Sequence, residues 1–473
     1  MRGRRFFALA AASCLSACDM APKYVQPALP VPPSLPAAAG TEAQGAQNPA
    51  DMAWRDFFTS PRLQRLVQLA LDNNRDLRVA LANVEQARAL YRVQRADLLP
   101  TLGVNASATY QDLPGGVPAT GGASGGAAAS GRSDIYTANA GVSAWEIDLF
   151  GRIRNLNKAA LEQYFASVEN RSAAQTALVA EVATAWLTLA TDQERLRIAE
   201  GMEKAFGQTL DLTKARFAKG IASELEVRQA QTSFDQARSD IAETRTLIAQ
   251  DRNALDLLAG TTVREELLPE GLGAVEATVA QLPADLPSEV LLRRPDIAAA
   301  EHQLRAANAD IGAARAALFP RLSLTAAFGT ISSGLSNLFG KGSDYWSVAP
   351  SASLPIFDFG RNAGNLRYAK ATRDAMLAQY ERSIQRGFRE VADALARRGT
   401  IDAQMEAQSS LRTAAAGAYR LSEARFRSGV DPFLTTLDSQ RALYAAEQSL
   451  LATRLVRETN AVELYRALGG GLK

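Results

Sequence analysis

The chain has 473 residues, 47% of them hydrophobic and 22% charged, and its 52 Lys+Arg against 50 Asp+Glu leave a net charge of +2. Near-neutrality removes the electrostatic case for a nucleic-acid partner. One histidine, His302, and two cysteines, Cys14 and Cys18, exclude a Cys/His zinc site and leave almost no histidine-based catalysis.

The amino terminus reads as an address. No stretch of the chain reaches the roughly 18–20 uncharged apolar residues of a membrane-spanning helix. Residues 1–17 form a signal peptide, with Arg2, Arg4 and Arg5 as its positive region and Phe6 to Ala12 as a short apolar run. Leu15-Ser16-Ala17-Cys18 resembles a bacterial lipoprotein cleavage box, so Cys18 is the expected lipidation site and first mature residue. An ordinary signal peptide with an incidental cysteine is the competing reading. Lipidation of Cys18 and loss of Cys14 would leave no thiol for a disulfide. Five prolines between Pro27 and Pro36 rule out a helix interior or a sheet centre. Residues 18–53 are therefore expected as a lipid-anchored extended tether, with the folded body beginning near Trp54.

The body is a duplication. Asp76 to Leu102 aligns without a gap with Asp296 to Leu322, an offset of 220 positions. Phe150-Gly151-Arg152 matches Phe359-Gly360-Arg361, and Ala215-Arg216-Phe217-x-x-Gly220 matches Ala424-Arg425-Phe426-x-x-Gly429, both at an offset of 209. The 11-residue difference falls between Pro100 and Phe150, where the Gly/Ala/Ser tract 114–131 has no apolar period. This sets two repeats, 54–260 and 290–469, joined by a linker, 261–289, and followed by a short tail, 470–473.

Each repeat opens with a helix, near 75–98 and 295–318, stopped by Pro100 or Pro320. Period-2 alternation follows. Leu102, Val104, Ala106, Ala108 and Tyr110 share one face of the first strand; Tyr136, Ala138, Ala140, Val142 and Ala144 share one face of the second. Leu322, Leu324, Ala326 and Phe328, then Trp346, Val348, Ala352 and Leu354, repeat the pattern. The opposite faces carry Gly, Ser, Thr and Asn. Such strands fit hairpins on a soluble core, or a transmembrane barrel with lipid outside and water inside; the lipoprotein signal favours the barrel. Four strands cannot close a barrel, and an open edge in lipid costs several kcal/mol per unpaired group. The chain must therefore oligomerise. Two copies give eight strands and three give twelve, and alternation does not choose between them.

After each Phe-Gly-Arg a long helix is expected, at 152–217 and 361–426, about 100 Å each. Return helices follow at 224–258 and 432–467. Val182, Leu189, Leu196, Leu210 and Phe217 keep a seven-residue repeat broken at Glu203, and Val227, Phe234, Ile241, Ile248 and Leu255 keep one unbroken. Leu443, Leu450 and Leu464 keep register around an interrupting Arg457. Ser223-Glu224-Leu225-Glu226 reads as a capping box, and Asp431-Pro432 as an N-cap followed by proline at the first helical position. Gly220 and Gly429 suit positive φ at the helix ends.

These segments together resemble the TolC-type outer-membrane efflux channel family, in its lipoprotein branch with the NodT-like proteins. The resemblance rests on Cys18-x3-Pro22-x-Tyr24-x2-Pro27, Leu292-Arg293-Arg294-Pro295-Asp296-Ile297-x3-Glu301-x2-Leu304, Leu318-Phe319-Pro320, Pro355-Ile356-Phe357-Asp358-Phe359-Gly360-Arg361 and the duplicated Ala-Arg-Phe-x-x-Gly turns. It implies a mainly α fold with a transmembrane β-barrel: a homotrimer whose four strands per chain complete a twelve-stranded barrel in the outer membrane, and whose coiled-coil helices form an α-barrel tunnel into the periplasm. It further implies an equatorial band from the linker and chain ends, and periplasmic tip turns at Gly220 and Gly429. A periplasmic adaptor (membrane fusion) protein docks on the tip and joins an inner-membrane pump of the resistance–nodulation–division type.

The function so implied is a passive exit duct for drugs or other small molecules, with no enzyme activity, catalytic residue, metal or cofactor beyond the lipid on Cys18. Family channels carry acidic rings near the tip. Asp438 falls at such a position, with Glu226 and Asp431 as further pore-gate candidates, although the capping box accounts for Glu226. Asp431 departs from the best-known enteric channel, which has an arginine there in a closing network, so the closing contacts here differ. Asp19 departs too: in enteric bacteria an aspartate after the lipidated cysteine retains lipoproteins in the inner membrane, whereas the strands point to the outer one. The competing functions are a type I protein secretion channel and a trimeric coiled-coil structural lipoprotein. An enzyme fits least: His302 has only Ala82 as its repeat partner and reads as a surface residue, and Gly469-Gly470-Gly471 precedes no helix.

Overall fold

The computed structural model describes residues 19–36, 53–113, 131–272 and 287–470. The chain divides into two compact units, one of Met1–Gln26, Glu85–Ala166 and Glu301–Ala378, the other of Pro27–Val84, Ser167–Ala300 and Gln379–Lys473. In chain order the elements are α1 (Trp54–Phe57), α2 (Pro61–Asn73), α3 (Arg75–Ala96), β1 (Leu102–Leu113), β2 (Gly131–Glu146), α4 (Arg152–Ala218), α5 (Glu224–Ala259), α6 (Pro295–Ala316), β3 (Arg321–Ser332), β4 (Asp344–Ser353), α7 (Arg361–Arg427) and α8 (Phe433–Ala467). The duplication is visible in this order. Each repeat runs helix, two strands, long helix, return helix, and both long helices have 67 residues.

The first unit holds the sheet. Its strands pair antiparallel in the order β1-β2-β3-β4. The register brings the apolar positions of all four strands into rows: Val104 opposite Ala140, Ala140 opposite Phe328, and Phe328 opposite Trp346. One prediction fails here. Between Val142 and Trp145 the register of β2 against β3 shifts, and Trp145, not Ala144, continues the apolar row opposite Leu324. Ala144 adopts a φ of 52°, and its N–H donates to Thr325 Oγ1. A bulge inserts one residue, and every side chain beyond it changes face. Because an alanine occupies the left-handed position, no glycine marks the bulge in the sequence.

The segment after Cys18 is extended and packs against this unit. Asp19 accepts from Asn155 Nδ2 at 3.0 Å, the Met20 and Pro22 carbonyls accept from Arg315 and Asn308, and the Tyr24 hydroxyl donates to Glu301. Arg305 stacks its guanidinium over the Tyr24 ring, 5.0 Å from its centroid and so within cation–π reach. His302 lies in the same unit. It is half-buried, with Nδ1 2.6 Å from Glu162, rather than the surface residue expected from its repeat position.

The second unit is built on helix packing. Trp54 and Phe57 of α1, Phe58 just after it, and Leu66 and Val67 of α2 meet Trp186, Leu187 and Leu189 of α4, Leu255 of α5 and Tyr465 of α8. Phe57 and Tyr465 stack with centroids 4.1 Å apart. The seven-residue seam is real where it is buried: Val182, Leu189, Leu210, Ile241 and Leu255 are all in the core, while Phe217 at the helix end is exposed. The α4 helix is the one described helix long and apolar enough to cross a membrane, yet its most apolar stretch is half covered by its neighbours. Arg294, 5% exposed, ties three elements together, donating to Asp296 on α6, Glu390 on α7 and the Ala467 carbonyl at the end of α8.

Candidate functional site

Two places carry the expected chemistry: the pair of helical turns in the second unit and the sheet in the first. The turns are near-copies. After α4, Gly220 has a φ of 73°, its N–H donates to the Phe217 carbonyl at 2.8 Å, and the Ile221 N–H donates to the Arg216 carbonyl at 2.9 Å. After α7, Gly429 has a φ of 75°, with Gly429 N–H on Phe426 at 3.0 Å and Val430 N–H on Arg425 at 2.9 Å. This is the double hydrogen bond of a Schellman ending. A β-carbon at either glycine meets nothing within 4 Å, so the backbone angle alone selects glycine.

The two turns differ in their polar contacts. After the first, Ser223 and Glu226 form a reciprocal capping box: the Ser223 N–H donates to Glu226 Oε2 at 2.6 Å and the Glu226 N–H donates to Ser223 Oγ at 3.2 Å. After the second, α8 begins at Phe433 with Pro432 as its cap and no side-chain cap. Asp431 is not the N-cap predicted from Asp431-Pro432. Arg425 donates to both its oxygens, at 2.7 and 2.8 Å, and a bidentate fork outcompetes a single backbone N–H. The hydrogen bond and charge of Arg425 hold the Asp431 carboxyl below its ordinary range. Arg216, the repeat partner of Arg425, instead stacks over the Phe426 ring at 4.7 Å.

Asp438 is exposed on α8 and makes no ion pair or hydrogen bond among the described residues. Around the turns, Ile221 and Val430 are each 63% exposed, and their neighbours Leu225 and Leu434 are exposed as well. Four apolar side chains thus stand uncovered at matching places in the two repeats.

In the sheet, the apolar row is bare. Leu102, Val104, Trp346 and Val348 are 79%, 84%, 75% and 57% exposed, and Tyr110 and Tyr136 meet edge to face on the same side. The other face holds small uncharged groups joined across strands, Ser107 to Thr137 and Ser323 to Ser351, each at 2.7 Å. Cys18 lies outside the described residues. Sequence reasoning missed the Arg425–Asp431 fork and the Arg294 junction. The Arg294-Pro295-Asp296 run was the one available signal for the latter.

Comparison with known proteins fits this arrangement. A profile of the outer membrane efflux protein family matches residues 66–261 and 286–470. The solvent efflux pump outer membrane protein SrpC of Pseudomonas putida is 45% identical over 460 residues, covering 97% of this chain and 96% of that protein. A membrane protein from Pseudomonas aeruginosa superposes with a TM-score of 0.86 at 40% identity, covering 96% of this chain and 98% of that one. The open state of the Neisseria gonorrhoeae MtrE outer membrane channel superposes at 0.85 with 38% identity, covering 96% and 99%. The profile covers most of the chain in two segments, and the relatives span nearly the whole chain, so this chain belongs to the outer membrane efflux protein family.

Proposed function

We propose that three copies of this chain form a passive exit duct in the outer membrane. The observation that carries this reading is the sheet: one face is apolar and bare, the other is polar, and among the described residues neither β1 nor β4 has a strand on its outer edge. In lipid both edges must pair. Pairing β4 of one copy with β1 of the next satisfies them and closes a twelve-stranded barrel. The long helices of the three copies form a tunnel into the periplasm. The Cys18 acyl chains anchor the assembly to the membrane, and the mass of the mature amino-terminal peptide tests that lipidation.

The exposed apolar side chains around Gly220 and Gly429 support docking of a periplasmic adaptor at the tip, which joins the duct to an inner-membrane pump of the resistance–nodulation–division type. The pump supplies the energy. The duct itself catalyses nothing. Solvent efflux, the activity in the name of the Pseudomonas putida relative, points to small apolar cargo here rather than to protein export.

Asp438 is the gate residue of this proposal, because its carboxylate is exposed and has no partner among the described residues, whereas Glu226 and Asp431 are engaged by Ser223 and Arg425. Three such carboxylates facing one bore favour cations. Purified protein in planar bilayers is expected to conduct, with Asp438→Asn weakening cation preference. A conducting channel with unchanged selectivity in that variant removes Asp438 from the gate; absence of any conductance removes the duct.

A further inference from the structure

The bulge in β2 decides where a charge goes. Plain alternation puts Glu146 on the face of Tyr136, Ala138, Ala140 and Val142, the face that a barrel turns to lipid, where a charge is expensive. The extra residue reverses this. Ser143 and Ala144 together oppose Thr325, after which Trp145 pairs with Leu324 and Glu146 with Ser323. The apolar indole takes the lipid-facing place, and the carboxylate moves to the polar face, in the row that continues through the Ser323 and Ser351 hydroxyls.

Arg152, the first residue of α4, reaches back to this carboxylate as a fork. Its Nε donates to Oε1 at 2.8 Å and its Nη2 to Oε2 at 2.7 Å. The two side chains keep 26% and 20% of their surface, enough for contact with water. The second repeat has no such pair. Pro355 stands at the position equivalent to Glu146, and Arg361, the partner of Arg152, is exposed with no ion pair among the described residues. The matched charge is therefore a property of the first repeat and of its bulge, not of the repeated plan.

We propose that Glu146 and Arg152 line the inner end of the barrel lumen as a neutralised pair and that this pairing keeps that end of the bore free of net charge, so that it adds no ion preference of its own. The proposal rests on reading the sheet as part of a conducting barrel. Three copies would present three pairs around one water-filled bore. With both partners present the charges cancel; with one removed, three like charges face the same water column and bias which ion enters.

Planar-bilayer recordings across a potassium chloride gradient test this. Glu146→Gln should shift the reversal potential toward chloride, and Arg152→Gln should shift it toward potassium. A merely structural clasp gives no shift, or shifts of one sign, and either result with a conducting wild type overturns the proposal. A wild type that does not conduct fails the duct reading instead. Should either variant not assemble, Glu146→Cys offers a second measurement. A charged, membrane-impermeant thiol reagent added to a conducting trimer should change the current in steps. A thiol that stays unmodified, or that mass spectrometry finds modified with no change in current, overturns the assignment.

Discussion

Ala144 sits at a φ of 52°, where a β-carbon crowds the following carbonyl and costs roughly 1–2 kcal/mol relative to ordinary backbone. The bulge accepts that cost because it moves Trp145 and Glu146 to the faces that suit them. Ala144→Gly is expected to keep the register and raise the thermal midpoint of the detergent-solubilised protein; a lower midpoint would mean that the bulge is held by packing of the alanine methyl instead. Asp251 on α5 is a second strained residue. Burial, with Asp192 on α4 beside it, pushes its carboxyl up to about 6, with Arg195 acting the other way. A carboxyl whose folded value lies above its unfolded value stabilises most at low pH, below about 4, and loses that contribution as pH rises through about 6. Asp251→Asn should therefore stabilise the protein at pH 7.5 and make no difference at pH 3.5. A stability difference that does not depend on pH contradicts this account.

At the scale of elements, Arg294 shows how the repeats are held. The guanidinium is buried, and three separate elements place their oxygens on it: Asp296, Glu390 and the Ala467 carbonyl. Arg466 shares Glu390 from a longer distance, 3.5 Å. Removing one partner from such a buried junction leaves carboxylates without compensation, at about 3–5 kcal/mol. Arg294→Met should lower the thermal midpoint of the detergent-solubilised protein, with Arg294→Lys intermediate because a point charge cannot fork. An unchanged midpoint in Arg294→Met would make the junction incidental. The turns at Gly220 and Gly429 follow the opposite logic. Their hydrogen bonds are local, so the same Ala-Arg-Phe-x-x-Gly run builds the same ending twice.

For the whole molecule, the two faces of the sheet make opposite demands on a substituted charge. Val348 and Ser347 are adjacent on β4 and point to opposite sides. An arginine facing lipid near the bilayer midplane costs about 2–4 kcal/mol, and less near the interfaces. Val348→Arg should reduce the yield of membrane-inserted protein, whereas Ser347→Arg, on the polar face, should insert normally. Equal effects of the two, measured by the amount of the protein in outer-membrane fractions, would mean that the sheet does not separate lipid from water.

The local features were legible in the residues. Proline stops, the alternating strands, the capping box at Ser223 and the glycine endings at Gly220 and Gly429 depend on a few neighbouring positions, and the duplication repeats most of them. So did the order of elements, since periodicity and chain length fix helix and strand without knowledge of what they touch. The tertiary structure decided the rest. It chose Arg425 over a backbone cap for Asp431, gave His302 its glutamate, gathered Asp296, Glu390 and Ala467 on Arg294, and shifted β2 by one residue at Ala144. Each of these depends on which distant atoms lie within hydrogen-bond reach, and a period in the sequence carries no information about that distance.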